Sequence, residues 1–180
     1  VEGICEAGPD EFPTNATEWF DTDGDGIGNN ADTDDDNDGL NDTTEESSDP
    51  VTDPLDPDTD DDGYCDGPNA VEGICEAGPD EFPTNVTEWF DTDGDGIGNN
   101  EDTDDDNDGL NDTTEESSDP ATDPLKADTD DDGYCDGLIA VEGICEVGPD
   151  LFPTDPNDWA DNDGDGIGDN ADPDDDNDGL

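Results

Sequence analysis

Residues 21–42 read DTDGDGIGNNADTDDDNDGLND, with nine aspartates and no cation. The spacing decides how such a stretch folds. Aligned on glycine, residues 21–32 run D-x-D-x-D-G-I-x-N-x-x-D, and residues 34–45 run D-x-D-x-D-G-L-x-D-x-x-E. These are positions 1, 3, 5, 7, 9 and 12 of a twelve-residue calcium loop with glycine at position 6. Alternate residues turn their carboxylates toward one centre. The glycine permits a bend that a Cβ would resist. Position 7 offers only its backbone carbonyl, so its side chain is free to be apolar and to face a small core.

The first loop therefore offers Asp21, Asp23, Asp25, Ile27, Asn29 and Asp32, and the second offers Asp34, Asp36, Asp38, Leu40, Asp42 and Glu45. A third loop opens at Asp58 and continues with Asp60, Asp62, Tyr64 and Asp66. Its position 12 is Asn69, so a water or a neighbouring carboxylate must close it. Thr33 alone separates the first two loops. Asp32, Asp34, Asp35 and Asp36 crowd that junction, an arrangement suited to carboxylates that bridge two ions in a row along the chain. An EF-hand would need an amphipathic helix on each side of the loop, and these are missing.

The pattern recurs at a period of 70 residues. VEGICEAGPDEFPTN opens at Val1 and Val71 and returns at Val141 as VEGICEVGPDLFPTD. Copies 1–70 and 71–140 differ at seven positions, and 141–180 is a partial third copy. An array in which each unit meets mainly its neighbours is expected, continuing beyond both ends of this chain. The second copy supplies Asp91, Asp93, Asp95, Ile97, Asn99 and Asp102, then Asp104, Asp106, Asp108, Leu110, Asp112 and Glu115. Its third loop holds Asp128, Asp130, Asp132, Tyr134 and Asp136, with Ile139 at position 12. The third copy gives Asp161, Asp163, Asp165, Ile167, Asp169 and Asp172, and the start of another loop at Asp174, Asp176 and Asp178. Eight D-x-D-x-D-G motifs in register are not what a merely solvated acidic tail would need. All donors are oxygens and there is no histidine, which suits a hard cation; many carboxylates per loop suit calcium over magnesium.

Composition sets the limits. The chain has 62 acidic residues, one basic residue (Lys126) and a net charge of −61, and only 25% of it is apolar. Without counter-ions it reads as a disordered polyanion. Nucleic acid and anionic membranes need the Lys and Arg that are absent. No apolar run of membrane-spanning length occurs. With no His, Arg or Met, and too few apolar residues for a pocket, no enzymatic activity is expected.

Each DGYCDG cysteine is followed ten residues later by a VEGIC cysteine, which favours local disulfides Cys65–Cys75 and Cys135–Cys145. Free thiols, or Cys5 paired with Cys65, are the alternatives. Disulfides imply an oxidising, extracellular or cell-surface setting. In the connector FPTNATEWF, Asn15 and Glu18 fit an N-cap and capping-box partner for one short helical turn through Trp19 and Phe20. Phe12, Trp19 and Phe20 are then expected to pack on Ile4 and Ile27. Asn15, Asn41, Asn85 and Asn111 each begin a glycosylation sequon, making covalent glycans a candidate modification. In the third copy the connector becomes TDPNDW, where Asp155 still caps but the sequon is gone.

The tandem motifs, the TDPL spacers Thr52–Leu55 and Thr122–Leu125, and the EFPTNATEWFDTDGDGIG connector together resemble the thrombospondin type 3 repeats of bacterial surface proteins. The resemblance spans essentially the whole chain. It implies a mostly irregular, calcium-stabilised tandem-repeat rod with little helix or strand, placed in long extracellular adhesins, stalks or filaments. Self-association or continuation along a filament belongs to that picture. The cysteine pattern departs from the animal repeats, so no disulfide pairing carries over. A flexible extracellular calcium reservoir is the alternative, and a carbohydrate-binding accessory region ranks below both.

Overall fold

The computed structural model describes residues 9–76, 78–146 and 148–179. Ile4 of the expected connector core and Cys5 of the cysteine scheme lie outside the described residues. Among the described residues, helix is confined to α1 (Asp42–Glu45) and α2 (Asp112–Ser117). Extended pairing is confined to isolated bridges: Tyr64 with Glu76, Val71 with Cys75, Tyr134 with Glu146, and Val141 with Cys145. The chain is thus mostly irregular, as its Asp-, Gly- and Pro-rich composition leads one to expect. No helix among the described residues is long and apolar enough to cross a membrane.

The chain divides into two compact units, Val1–Phe90 and Asp91–Leu180. In the first unit every acidic loop is closed the same way. The position-9 amide donates to the carbonyl just before position 1: Asn29 to Phe20 at 3.0 Å, Asp42 to Thr33 at 3.1 Å and Asp66 to Pro57 at 3.0 Å. The second unit repeats this with Asp112 to Thr103, Asp136 to Ala127 and Asp169 to Ala160. The position-6 glycines carry the bend at positive φ, for example Gly26 at 94° and Gly39 at 97°.

Apolar burial is sparse. Among the described residues the buried apolar side chains are Cys65 and Cys75 in the first unit and Ala127, Cys135 and Cys145, with Val141 against them, in the second. Both local disulfides are formed, Cys65–Cys75 and Cys135–Cys145, with Cα atoms 5.2 and 5.1 Å apart. The free-thiol and Cys5–Cys65 alternatives do not describe these four cysteines. Carboxylates fill the interior instead: Asp38, Glu45, Asp108 and Glu115 are fully enclosed.

The connector departs from its expected form. Residues 13–17 make turns and 18–20 are irregular, so no helix forms. Asn15 does accept the Thr17 amide, and its carbonyl receives the Glu18 amide at 3.2 Å. The Glu18 carboxylate, however, reaches forward to the Asn30 amide at 3.0 Å, so the capping box never closes. Asp158 does the same for Asn170. The helix forms instead where acidic residues end the second loop, at Asp42–Glu45. There Asp42 and Glu45 occupy the first turn, favourable for the helix dipole. Ser47 Oγ bonds back to the Thr43 carbonyl at 2.6 Å.

The connector core is also placed differently. Ile27, Ile97 and Ile167 are 47%, 44% and 46% exposed, so the position-7 isoleucines face solvent. The aromatics find the position-7 tyrosine of the third loop. Trp89 stacks on Tyr64 with centroids 5.1 Å apart, Phe90 meets the same ring edge-on at 5.2 Å, and Trp159 stacks on Tyr134 at 4.7 Å. Trp19 is half exposed.

Candidate metal centres

Each acidic loop is held by a ladder of Asx turns, in which one carboxylate oxygen accepts an amide two residues on. Asp23 accepts from Asp25 at 3.0 Å and Asp25 from Ile27 at 2.7 Å. Asp36 accepts from Asp38 and Asp38 from Leu40. Asp62 accepts from Tyr64 at 2.8 Å. The position-1 aspartate does more, spanning the loop: Asp21 takes the Gly24 and Gly26 amides, and Asp58 takes those of Asp62 and Gly63. The position-9 side chain turns to the loop's own position-2 amide, Asn29 to Thr22 and Asp42 to Asp35.

Asp21 and Asp58 spend both oxygens on amides, whereas several of the other carboxylates spend one oxygen in the ladder and leave the other inside. Asp36 Oδ2, Asp62 Oδ2, Asp106 Oδ2 and Asp132 Oδ2 are enclosed with no hydrogen-bond partner in the protein; both Asp60 oxygens are in this state. The loop carboxylates also converge. Asp21/Asp23/Asp25, Asp34/Asp36/Asp38, Asp58/Asp60/Asp62 and Asp91/Asp93/Asp95 each bring carboxylate oxygens within 4.8 Å of one another.

A further group joins two loops. Asp38, Glu45 and Asp66, all buried, share the same 4.8 Å limit. Glu45 enters because α1 turns it inward; Oε1 accepts from Thr52 Oγ1 at 3.3 Å, and Oε2 has no partner. Asp66, counted in sequence with the third loop, reaches the second loop's centre. The chain returns there because the Asn69 amide donates to the Asp38 carbonyl at 2.7 Å and the Gly67 amide to Asp38 Oδ2 at 2.6 Å. A Cβ at Gly67 would overlap Asp38, so only glycine allows this approach. The second unit repeats it with Gly137 and Asp108.

Electrostatics match the geometry. Burial, with the charges of Asp38, Glu45 and Asp34 adding to it, pushes Asp36 up to about 8. Burial and Asp38 push Glu45 to about 7. Burial and Asp106 push Glu115 to about 8. No compensating cation is at hand: Lys126, paired with Asp131 at 3.1 Å, is the chain's one basic residue.

Two functional candidates were not among the sequence-derived ligand positions. Asp35 is buried with an unpartnered Oδ1, pushed to about 6 by burial and by the charges of Asp42, Asp32 and Asp23. Asp80, with its counterpart Asp150, is buried beside the third loop. Asp35 was visible as part of the crowded junction. Asp80 had no local signal, since it follows the loop by a disulfide's length. The position-12 residue Asn69 turns its amide to the second loop, and Asp32 spends Oδ1 on the Thr33 and Asp34 amides. The sequon residues Asn15, Asn41, Asn85 and Asn111 are all exposed.

Compared with protein-family models and with curated proteins, the chain matches none.

Proposed function

We propose that this chain is a calcium-binding structural segment, stiffened by its ions into part of an extracellular rod, stalk or surface filament. One observation carries the reading: in the second and third loops of both full copies, carboxylate oxygens lie buried with no partner in the protein, and in the first copy those loops gather their carboxylates within 4.8 Å of one another. Buried unpaired charge is strongly unfavourable unless a cation meets it. Oxygen-only donors in loops of this spacing suit calcium. Metal binding then supplies the folding free energy that so few buried apolar residues cannot. Residues Asp21 to Asp32, Asp34 to Glu45 and Asp58 to Tyr64, with their counterparts in the later copies, would hold the ions. The disulfides support an oxidising, extracellular location. The resemblance to thrombospondin type 3 repeats, which rests on the motifs, points the same way, as does a role in an adhesin or fibre that continues along its axis. The exposed sequon asparagines are open to glycans.

Small-angle X-ray scattering separates this from a flexible reservoir. In millimolar calcium, the expected profile is that of a stiff particle with a defined cross-section. Coil-like scattering in calcium would contradict the structural role and favour the reservoir.

A further inference from the structure

We infer that the third loop of each copy takes its closing ligand from the copy that follows, Asp80 for the Asp58–Asp62 loop and Asp150 for the Asp128–Asp132 loop, so that this ion fastens one repeat to the next. The inference rests on the calcium reading and specifies one of its sites.

The loop cannot close itself. Its position 12 is Asn69 in one copy and Ile139 in the next, and the backbone there is turned to the second loop: the Ile139 amide donates to the Asp108 carbonyl as Asn69 does to Asp38. Isoleucine carries no donor oxygen in its side chain, so position 12 has no side-chain ligand in that copy.

The chain then comes back. The Cys65–Cys75 disulfide folds residues 71–76 against the loop. The Cys65 amide donates to the Glu76 carbonyl at 3.0 Å, and Glu76 donates to Gly63 at 2.7 Å. The Asp80 amide donates to the Cys65 carbonyl at 2.9 Å. Gly78 lies so close to that carbonyl that a Cβ would overlap it. The loop, the disulfide and the next copy's GPD segment thus form one continuous construction.

Asp80 is 6% exposed. Its Oδ1 accepts the Phe82 amide at 2.7 Å, while its Oδ2 is enclosed with no partner. The charges pressing on it most, after burial itself, are Asp62 and then Asp60. Both Asp60 oxygens and Asp62 Oδ2 are likewise enclosed and unpartnered. The other unit, nearly identical in sequence over this stretch, builds the same arrangement although Ile139 stands where Asn69 does. Asp150 is 6% exposed, bonds the Phe152 amide at 2.7 Å, leaves Oδ2 enclosed and faces Asp132 and Asp130. A Cβ at Gly148 would overlap the Cys135 carbonyl. The disulfides are positioning devices: they set where Asp80 and Asp150 sit.

The test is a calcium-binding isotherm of the full chain, as ions bound per chain against free calcium, for the native protein and for Asp80→Asn with Asp150→Asn. Asparagine keeps the oxygen that accepts the Phe82 and Phe152 amides, so the turn persists while a charged ligand is lost. Two ions per chain, one per third loop, are expected to move to roughly tenfold or more higher free calcium, since carboxylate count tunes loop affinity. Asp56→Asn, an exposed charge outside the loops, is expected to leave the isotherm unchanged. Superimposable native and double-variant isotherms would overturn this inference and leave the calcium reading standing. No calcium uptake by the native chain would overturn both. Should the double variant lose every ion, Asp80→Glu with Asp150→Glu decides: recovered binding supports a ligand role, and none rejects it.

Discussion

Chelating calcium with EDTA at neutral pH is expected to abolish the fold. The near-ultraviolet circular dichroism of the stacked Tyr64–Trp89 and Tyr134–Trp159 pairs should collapse, and cleavage by a Glu-specific protease should accelerate by more than roughly tenfold, because cutting follows the open population. The magnitude follows from charge. Carboxylate oxygens 4.8 Å apart repel by about 3 kcal/mol per pair at the effective dielectric of a protein surface. A single three-carboxylate centre thus carries a repulsion comparable to the whole stability of a small domain, about 5–15 kcal/mol. Against this stand buried cysteines, one buried alanine and a disulfide in each unit, each disulfide contributing about 2–3 kcal/mol. Without cations the balance is unfavourable. Unchanged dichroism and protease resistance after chelation would mean that something other than metal holds the loops.

The second large effect is an inversion of the pH dependence. In chelator, the buried carboxylates of the compact state hold protons well above their ordinary values of 3.8 for Asp and 4.5 for Glu. Asp36 and Glu115 are raised to about 8, Glu45, Asp80 and Asp106 to about 7, and Asp66 and Asp136 to about 6, in each case chiefly by burial. A group whose pKa is higher folded than unfolded binds more protons when folded. Its contribution is complete below the unfolded pKa, near 4, and is lost as pH rises through the folded value. The metal-free fold should therefore be best populated near pH 4 and disappear between about pH 6 and 8. With calcium the sign reverses. The ions need ionised carboxylates, so the fold should hold at pH 7 and fail as acid displaces calcium below about pH 5. The Tyr–Trp dichroism, followed across pH in chelator and in calcium, should give curves of opposite slope. Parallel curves would show that protons and calcium do not compete for the same oxygens. Collapse of the polyanion on protonation does not mimic this, because the stacked rings report specific structure.

What was legible in sequence was local. The D-x-D-x-D-G spacing located each loop because position-1, -3 and -5 aspartates and the position-6 glycine act within six residues. The ten-residue cysteine spacing located the disulfides for the same reason. What escaped was the return of the chain. Asp66 reaches the second loop because Gly67 and Asn69 bond to Asp38, a contact 29 residues away at Gly67 that no window shows. Asp80 reaches the third loop through a disulfide. The misplaced helix has a different cause. Asn15 and Glu18 satisfy a capping rule, but Glu18 gains more from the otherwise uncapped Asn30 amide across the loop. Asp42–Glu45 becomes helical without any apolar periodicity, in a stretch where a turn inward brings Glu45 to the second loop's centre.

Anomalous X-ray scattering from the calcium-loaded protein, mapped at long wavelength, tests the central claim most directly. The expected result is a calcium peak inside each group of converging oxygens, among them Asp34/Asp36/Asp38 and Asp38/Glu45/Asp66, at oxygen distances of about 2.3–2.6 Å. Empty centres, or peaks only on exposed carboxylates such as Asp53 and Asp56 outside the loops, would contradict it.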